Sequence, residues 1–311
     1  MDRYYWIMEY LSGVNVVEHF SYKSKYTEDM VAIVIRQVLD GLQFLHYHGY
    51  AHLNIQPSSV MMVNRRRLDV RIMDFSLVQK VTKEGQVVPR EGNPEFMAPE
   101  VVVKETTSYP ADIWSVGVLT FLLLSGESPY KGQDEEATFT NVAYNRYNAL
   151  SLYENITKEA LKFIFRVLKR VSRNRMTASE CLEDKWLQTS ETMLKFRTEA
   201  VFSSVKLRNY VTESFLESIK ASEAELMRLR EKFLIRQEVK VTKTAIKEDS
   251  KNTDQYTNSE VKQTMKKEVK DSEMESEVKR SEVKKSSSVE DIADELVNGA
   301  MDEALKSETL S

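Results

Sequence analysis

The sequence has 311 residues and a formal net charge of −4, so neither nucleic-acid binding nor attraction to a membrane surface is expected as its main activity. Its single cysteine, Cys181, excludes an internal disulfide and is typical of a reducing compartment. No apolar run approaches the roughly 20 residues that span a bilayer, and residues 1–6 do not resemble a signal peptide. We therefore expect a cytoplasmic protein.

Residues that build compact folds are concentrated in the first part of the chain. All six prolines and eight of the nine glycines lie within the first 132 residues, and all three tryptophans precede residue 190. Beyond about residue 220 the only aromatic residues are Phe233 and Tyr256, which are too few to build a core. The composition therefore predicts one folded domain followed by a tail.

The first predicted elements are a short strand over residues 4–11 and a long helix that follows Thr27. Apolar residues of this helix recur every three or four positions, Thr27 is a typical N-cap, and Gly49 follows its end. Next, two short apolar runs at 60–63 and 70–73 predict a β-hairpin.

The turn of this hairpin carries the triplet Arg65, Arg66 and Arg67. Three consecutive arginines could bind phosphate, but a solvated turn is the simpler interpretation.

The second half of the domain is predicted to be helical. Residues 112–124 are apolar on nearly every face, which is typical of a helix buried on all sides. Two further helices are expected at 157–171 and 177–187, and the second begins with a capping box, Thr177 to Glu180. We therefore expect a mainly α domain with short β-hairpins.

The tail is predicted to contain three segments. Residues 189–239 form a helical extension, and residues 240–288 form a disordered linker in which Ser-Glu-Val-Lys recurs. Residues 289–306 form an amphipathic helix with an acidic opposite face. Its apolar stripe consists of Val289, Ile292, Ala293, Leu296, Val297, Ala300, Met301, Ala304 and Leu305.

Four motifs follow one another in the folded domain. Residues 52–60 read HLNIQPSSV, residues 73–76 read MDFS, residues 92–100 read GNPEFMAPE and residues 112–117 read DIWSVG. Their order resembles the catalytic loop, the metal-binding segment, the APE segment and the central helix of the protein kinase family. Within that family the motifs are most similar to the giant muscle kinases titin, twitchin and obscurin.

The resemblance covers residues 4–188 and implies a protein-kinase-like C-terminal lobe at 12–188 that lacks the N-terminal lobe. Residues 1–11 then correspond to a remnant of the last N-lobe strand and the hinge. The hinge positions, where ATP would meet the backbone in the family, are Met8, Glu9, Tyr10 and Leu11.

Three positions of the catalytic loop depart from the family's pattern. Asn54 stands in place of the catalytic aspartate, and an amide has no useful basicity near neutral pH. Gln56 replaces a lysine and brings no positive charge to the transferred phosphoryl group. Ser59 replaces the metal-binding asparagine and is too short to reach the ion.

Other positions of the motifs are also altered. Ser76 replaces the glycine that follows Asp74 and Phe75, and Asn93 replaces a threonine that braces the loop. By the same resemblance, His52 is a core histidine. Asp74 is the only candidate metal ligand, so we expect no metal site and no binding of ATP and Mg²⁺, the family's cofactors.

In contrast, the structural positions of the lobe are intact. By the resemblance, Glu100 and Arg175 form a buried ion pair, Asp112 holds the backbone of the catalytic loop, and Trp114 fills the core. The sequence therefore predicts a catalytically inactive pseudokinase, not an enzyme, that acts as a scaffold for other proteins, in the sarcomere of muscle by its subfamily resemblance. One alternative is a fragment of an active serine/threonine protein kinase.

Another alternative is an anchoring adaptor. Residues 289–306 resemble the helix by which A-kinase anchoring proteins bind the regulatory dimer of protein kinase A, although a generic partner helix is the simpler interpretation. Residues 226–236 are basic and amphipathic and could bind calmodulin, but a plain helical extension is favoured.

Overall fold

The computed structural model describes residues 7–82, 86–87, 91–147, 152 and 156–252. Contacts divide the chain into two units, Met1–Glu213 and Ser214–Ser311. In the first, helices dominate and the strands are short, as predicted. In the described part of the second, the chain continues as helix to Asn252.

Helices and short strands follow one another along the described residues. They are α1 (Val16–Ser21), β1 (Lys25–Thr27), α2 (Glu28–Tyr47), β2 (Tyr50–Ala51), β3 (Val60–Met62), β4 (Val70–Ile72), β5 (Gln79–Lys80), β6 (Gln86–Val87), α3 (Pro99–Val102), β7 (Thr106–Thr107), α4 (Pro110–Ser125), α5 (Glu135–Ala143), α6 (Lys158–Val167), α7 (Ala178–Leu182), α8 (Glu191–Glu199), β8 (Val201–Ser203) and α9 (Val205–Asn252). Four antiparallel strand pairs form, β1 with β8, β2 with β5, β3 with β4 and β6 with β7.

Helices α2 and α4 form the centre of the core. Thr27 caps α2 by accepting a hydrogen bond from the backbone N–H of Met30. Every residue of α4 after Pro110 is buried, because its sequence is apolar on all faces. Gly117 lets α6 approach closely, since a Cβ at this position would lie 2.7 Å from the side chains of Val167 and Leu168.

Several predicted boundaries were wrong. Residues 7–11 form no strand, and residues 4–6 lie outside the described residues. A strand needs a hydrogen-bonded neighbour. The predicted helix at 177–187 ends at Leu182, because the side chain of Asp184 starts a separate 3₁₀ turn by accepting from the N–H of Trp186. Helix α6 likewise ends at Val167 and not at residue 171, since the backbone of Leu168 leaves helical geometry.

The predicted extension at 189–239 is not one helix. Strand β8 separates α8 from α9 and pairs with β1, and its Phe202 is buried in the core cluster together with Leu207. Periodicity could not reveal this strand, because its partner lies far away in the sequence. Helix α9 runs to Asn252 and includes the start of the segment predicted as disordered, since it contains neither proline nor glycine. The domain boundary at residue 188 stays a prediction.

His19 on α1 is a buried titratable group whose effect on stability can be tested. Its side chain has 5% relative exposure, and burial together with the nearby charge of Lys23 lowers its pKa from 6.5 to about 4. Between these pH values the unfolded state binds more protons than the folded state, so the free energy of unfolding falls as the pH falls.

We expect His19→Gln to reduce the loss of unfolding free energy between pH 7 and about pH 4.5, measured by urea unfolding. The same substitution at the exposed His48 serves as the control. An unchanged pH dependence in His19→Gln would contradict the assignment.

Candidate functional site

The carboxylate of Asp112 on α4 holds the loop at residues 52–59. Its Oδ1 accepts from the backbone N–H of Leu53 at 2.7 Å, and its Oδ2 accepts from the N–H of His52 at 2.8 Å. Leu53 has a φ of +61°, which a residue with a side chain rarely adopts. The two hydrogen bonds therefore hold a strained backbone in place, a feature that often marks a functional loop.

His46 completes this anchor and was missed by the sequence interpretation. Its Nε2 lies 2.8 Å from Oδ2 of Asp112, in the last turn of α2. The available signal was its spacing, since His46 lies four residues after the buried Leu42 and thus on the same helical face. No motif marks it, because its partner lies on another helix.

His52 is fully buried beneath the segment at 73–76. Its Nε2–H donates to the carbonyl of Met73 at 3.0 Å, and its Nδ1 accepts from the N–H of Asn54 at 3.2 Å. Its ring lies edge-on to Phe75, with the centroids 5.2 Å apart. Burial is the main cause that lowers the pKa of His52, so the neutral ring is favoured. These contacts connect His52 with the loop at 52–59 and with the segment at 73–76, so it holds the two together.

Asn54 and Asp74 are brought into direct contact. The Asn54 Nδ2 donates to Asp74 Oδ2 at 2.7 Å, and the Asn54 Oδ1 accepts from Gln56 Nε2 at 2.9 Å. Asp74 has a φ of +58°, and its Oδ1 accepts from Ser76 Oγ at 2.6 Å. The side chains of Gln56, Asn54 and Asp74 thus form one hydrogen-bonded row, with the exposed Asp74 at its end.

Two predicted positions lie outside this row. The Ser59 hydroxyl accepts from the N–H of Gln56 at 2.9 Å and donates to its carbonyl at 3.0 Å, so it closes a local turn. Asn93 accepts from the N–H of Glu95 at 3.0 Å and caps the turn Pro94–Phe96. Both side chains shape the backbone of the site.

A narrow cavity of about 40 Å³ lies between the loop and the segment that follows Gly92. Gly92 has a φ of +98°, and a Cβ there would lie 3.1 Å from Asn54 Oδ1. The polar residues that line the cavity are Asn54, Gln56, Glu91, Asn93, Ser115 and Gln79. The amide of Asn54 is thus accessible from a space that admits small polar groups.

Glu100 and Arg175 form a bidentate ion pair in the core. Both nitrogen–oxygen distances are 2.6 Å, and both side chains are almost fully buried. The guanidinium also lies 5.0 Å from the ring of Trp114, which stacks on Tyr130. This pair connects α3 with the segment that precedes α7.

The carboxylate chemistry of the site fits one nucleotide-bound magnesium ion. Within the described ranges, no group of three or more His, Cys, Asp or Glu side chains could hold a metal by itself. Magnesium in phosphoryl-transfer sites is typically held by one or two carboxylates together with phosphates and water. Asp74 has the right chemistry for this role, whereas Ser59 is engaged with its own turn.

The remaining predicted positions lie apart from the row of Asn54 and Asp74. Met8 and Tyr10 are exposed, and Glu9 pairs with Arg71 at 3.0 Å. Leu11 is partly buried. In α9, Leu226, Met227 and Leu229 of the predicted calmodulin segment are exposed. The predicted helix at 289–306 lies outside the described residues.

In the part of the chain that the structure describes, no helix combines the length and apolar character needed to cross a bilayer.

Comparisons with known proteins agree with this geometry. A family model described as "Protein kinase domain" matches residues 1–187. Myosin light chain kinase 3 of Danio rerio is 34% identical over 207 residues, which cover 66% of this chain and 29% of the relative. The chain therefore spans less than a third of the length of this curated relative.

Two solved structures are also similar. The twitchin kinase region from C. elegans has a TM-score of 0.60 and 30% identity, covering 69% of this chain and 37% of that one. The autoinhibited serine kinase domain of the giant muscle protein titin has a TM-score of 0.58 and 28% identity, and the match covers 65% of this chain and 63% of that one.

These similarities overturn the prediction of a catalytically inactive scaffold that is not an enzyme, because the relatives are named as kinases. The prediction rested on the substitutions at Asn54, Gln56 and Ser59 and on the expected absence of the N-terminal lobe. Phosphoryl transfer depends mainly on positioning and electrostatics and passes through a loose transition state. The absence of one carboxylate therefore does not decide activity.

Proposed function

Because this chain belongs to the protein kinase domain family, we propose that it is part of an active serine/threonine protein kinase. The observation that carries the proposal is the loop anchored by Asp112, which holds Asn54 against Asp74 at 2.7 Å. We assign residues 12–188 to the C-terminal lobe of this kinase. The reaction transfers the γ-phosphoryl group of ATP to a hydroxyl group of a protein.

The proposed mechanism rests on orientation. Asp74 would hold magnesium, which would neutralise charge on the phosphates. The Oδ1 of Asn54 accepts one hydrogen bond from Gln56 and retains a second lone pair. We assign this lone pair to the acceptor hydroxyl, which it orients without removing its proton. A loose transition state requires little proton removal before the phosphoryl group is transferred, so the hydroxyl proton passes to an oxygen of that group as the new O–P bond forms and ADP leaves.

The substrate and partners follow from the same proposal. The acceptor is a serine or threonine of another protein, since the similar titin structure is named a serine kinase domain and the myosin light chain kinase relative is named for a protein substrate. Protein partners have an accessible surface on α9, where Leu226 and Met227 are exposed. We place this activity in the cytoplasm, at the sarcomere, by similarity to the kinase of titin.

Phosphate transfer by the full-length protein that contains this chain tests the proposal. We expect incorporation of γ-labelled phosphate from ATP into a degenerate serine/threonine peptide library and into myosin light chain. The transfer should stop when EDTA removes magnesium and should be absent from peptides that carry alanine at the acceptor position. If this full-length protein gives no more incorporation than the EDTA control, the proposed function is wrong.

A further inference from the structure

A second cavity lies on a different part of the first unit. It has a volume of about 670 Å³ and opens between the C-terminal half of α2, the start of α4 and the segment at 175–179. This volume lies within the range of about 300–1,000 Å³ that is typical of small-molecule sites. No residue of the loop at 52–59 and no atom of Asp74 lines it.

Aromatic rings surround this cavity. Phe44, Tyr47 and Tyr109 line it, and the side chains of Phe44 and Tyr47 are 64% and 86% exposed. The ring of His48 lies 4.2 Å from that of Phe44 and 5.3 Å from that of Tyr47, centroid to centroid. Tyr109 is in ring contact with His46 at 4.9 Å. The faces of such rings carry partial negative charge and attract cations.

The charge of the lining also favours a cation. Asp40 lines the cavity, is exposed, and forms no ion pair among the described residues. Arg175, the permanently charged cation of the lining, is neutralised by its two 2.6 Å hydrogen bonds to Glu100. His46 is bound to the carboxylate of Asp112. An anionic ligand would therefore meet Asp40 without an available counter-charge.

We propose that this cavity binds an organic ammonium ion. Its alkylated head lies against the rings of Phe44, Tyr47 and Tyr109 and near Asp40. Its apolar remainder contacts Ile113 and other apolar lining side chains, which an inorganic cation could not use. The site does not depend on phosphoryl transfer, so its test is separate from that of the proposed function.

Choline and its uncharged isostere 3,3-dimethylbutan-1-ol provide a matched pair of probes. They have nearly the same shape, so a difference in affinity measured by calorimetry with the full chain reports the charge. We expect choline to bind at least about fivefold more tightly, as a cation–π contact predicts. Equal affinities, or no detectable choline binding at about 20 mM, well above a weak dissociation constant of about 1 mM, overturn the proposal.

Substitutions locate the site. Tyr47→Ala and Asp40→Asn alter exposed side chains, and we expect each to weaken choline binding by about threefold or more. Asp40→Asn should leave the binding of the uncharged probe unchanged. Tyr144→Ala removes another exposed ring, which lies outside the cavity lining, and is the matched control. Unchanged choline binding in Tyr47→Ala, or equal weakening in Tyr144→Ala, overturns the assignment.

Two sources carry this ammonium chemistry, a free small molecule and a trimethylated lysine of a partner protein. Nα-acetyl-trimethyllysine amide separates them. Tighter binding of this probe than of choline supports a partner side chain, and the reverse supports a free amine.

Discussion

Replacing Asp74 by asparagine is expected to reduce phosphate transfer by about 10²–10³-fold, the loss typical when one group that stabilises charge in the transition state is removed. The substitution removes the negative charge of the Asp74 carboxylate, which in the proposed mechanism would bind magnesium. An asparagine at this position has one acceptor oxygen, so it can keep the hydrogen bond from Asn54 or the one from Ser76, but not both. Because Asp74 is exposed, the fold should persist while the activity is lost.

Asp69→Asn is the matched control for this experiment. Asp69 is also a partly exposed carboxylate, and it pairs with Arg67 at 2.9 Å in the turn of the hairpin. We expect the control to retain activity and both variants to unfold at the same urea concentration as the wild type. If Asp74→Asn retains more than half of the wild-type transfer rate, Asp74 does not have the proposed role.

Replacing Arg175 by alanine is expected to lower the free energy of unfolding by about 3–5 kcal/mol, because it leaves a buried carboxylate without its partner. Arg175 donates two hydrogen bonds to Glu100 and three more to backbone carbonyls, those of Pro110, Lys169 and Arg170. Urea unfolding measures the change. Arg67→Ala breaks an exposed ion pair and should cost less than about 1 kcal/mol.

A double substitution separates the ion pair from general loss of packing. Glu100→Leu combined with Arg175→Met removes both charges and keeps apolar volume, so we expect it to be less destabilising than Arg175→Ala alone. If the double variant loses as much unfolding free energy as Glu100→Leu and Arg175→Met lose together when each is made alone, the two charges are not coupled.

Local patterns predicted the helices that pack at the centre of the domain. The caps and apolar spacing of α2 follow from contacts between residues three or four apart, and the apolar sequence of α4 requires burial whatever surrounds it. The hairpin of β3 and β4 is also local, because a short turn connects its strands. Because these elements depend on residues close together in the sequence, they were predictable without knowledge of the elements that pack against them.

The candidate site was predictable only in part. The order of the motifs placed His52, Asn54, Asp74 and Asp112 among the relevant residues. It did not predict His46, whose contact with Asp112 joins two helices. It also led to the wrong conclusion about activity, because substitutions were judged one at a time, without the geometry in which the remaining groups act.

The sequence by itself determined the main helices, the hairpin and the family resemblance, since these depend on residue type and on spacing along the chain. Only the tertiary structure decided the left-handed backbone of Leu53, the contact between Asn54 and Asp74, and the pairing of β1 with β8. Each of these depends on groups far apart in the sequence. Their free energy arises only when the folded core brings the partners together, so no local pattern records it.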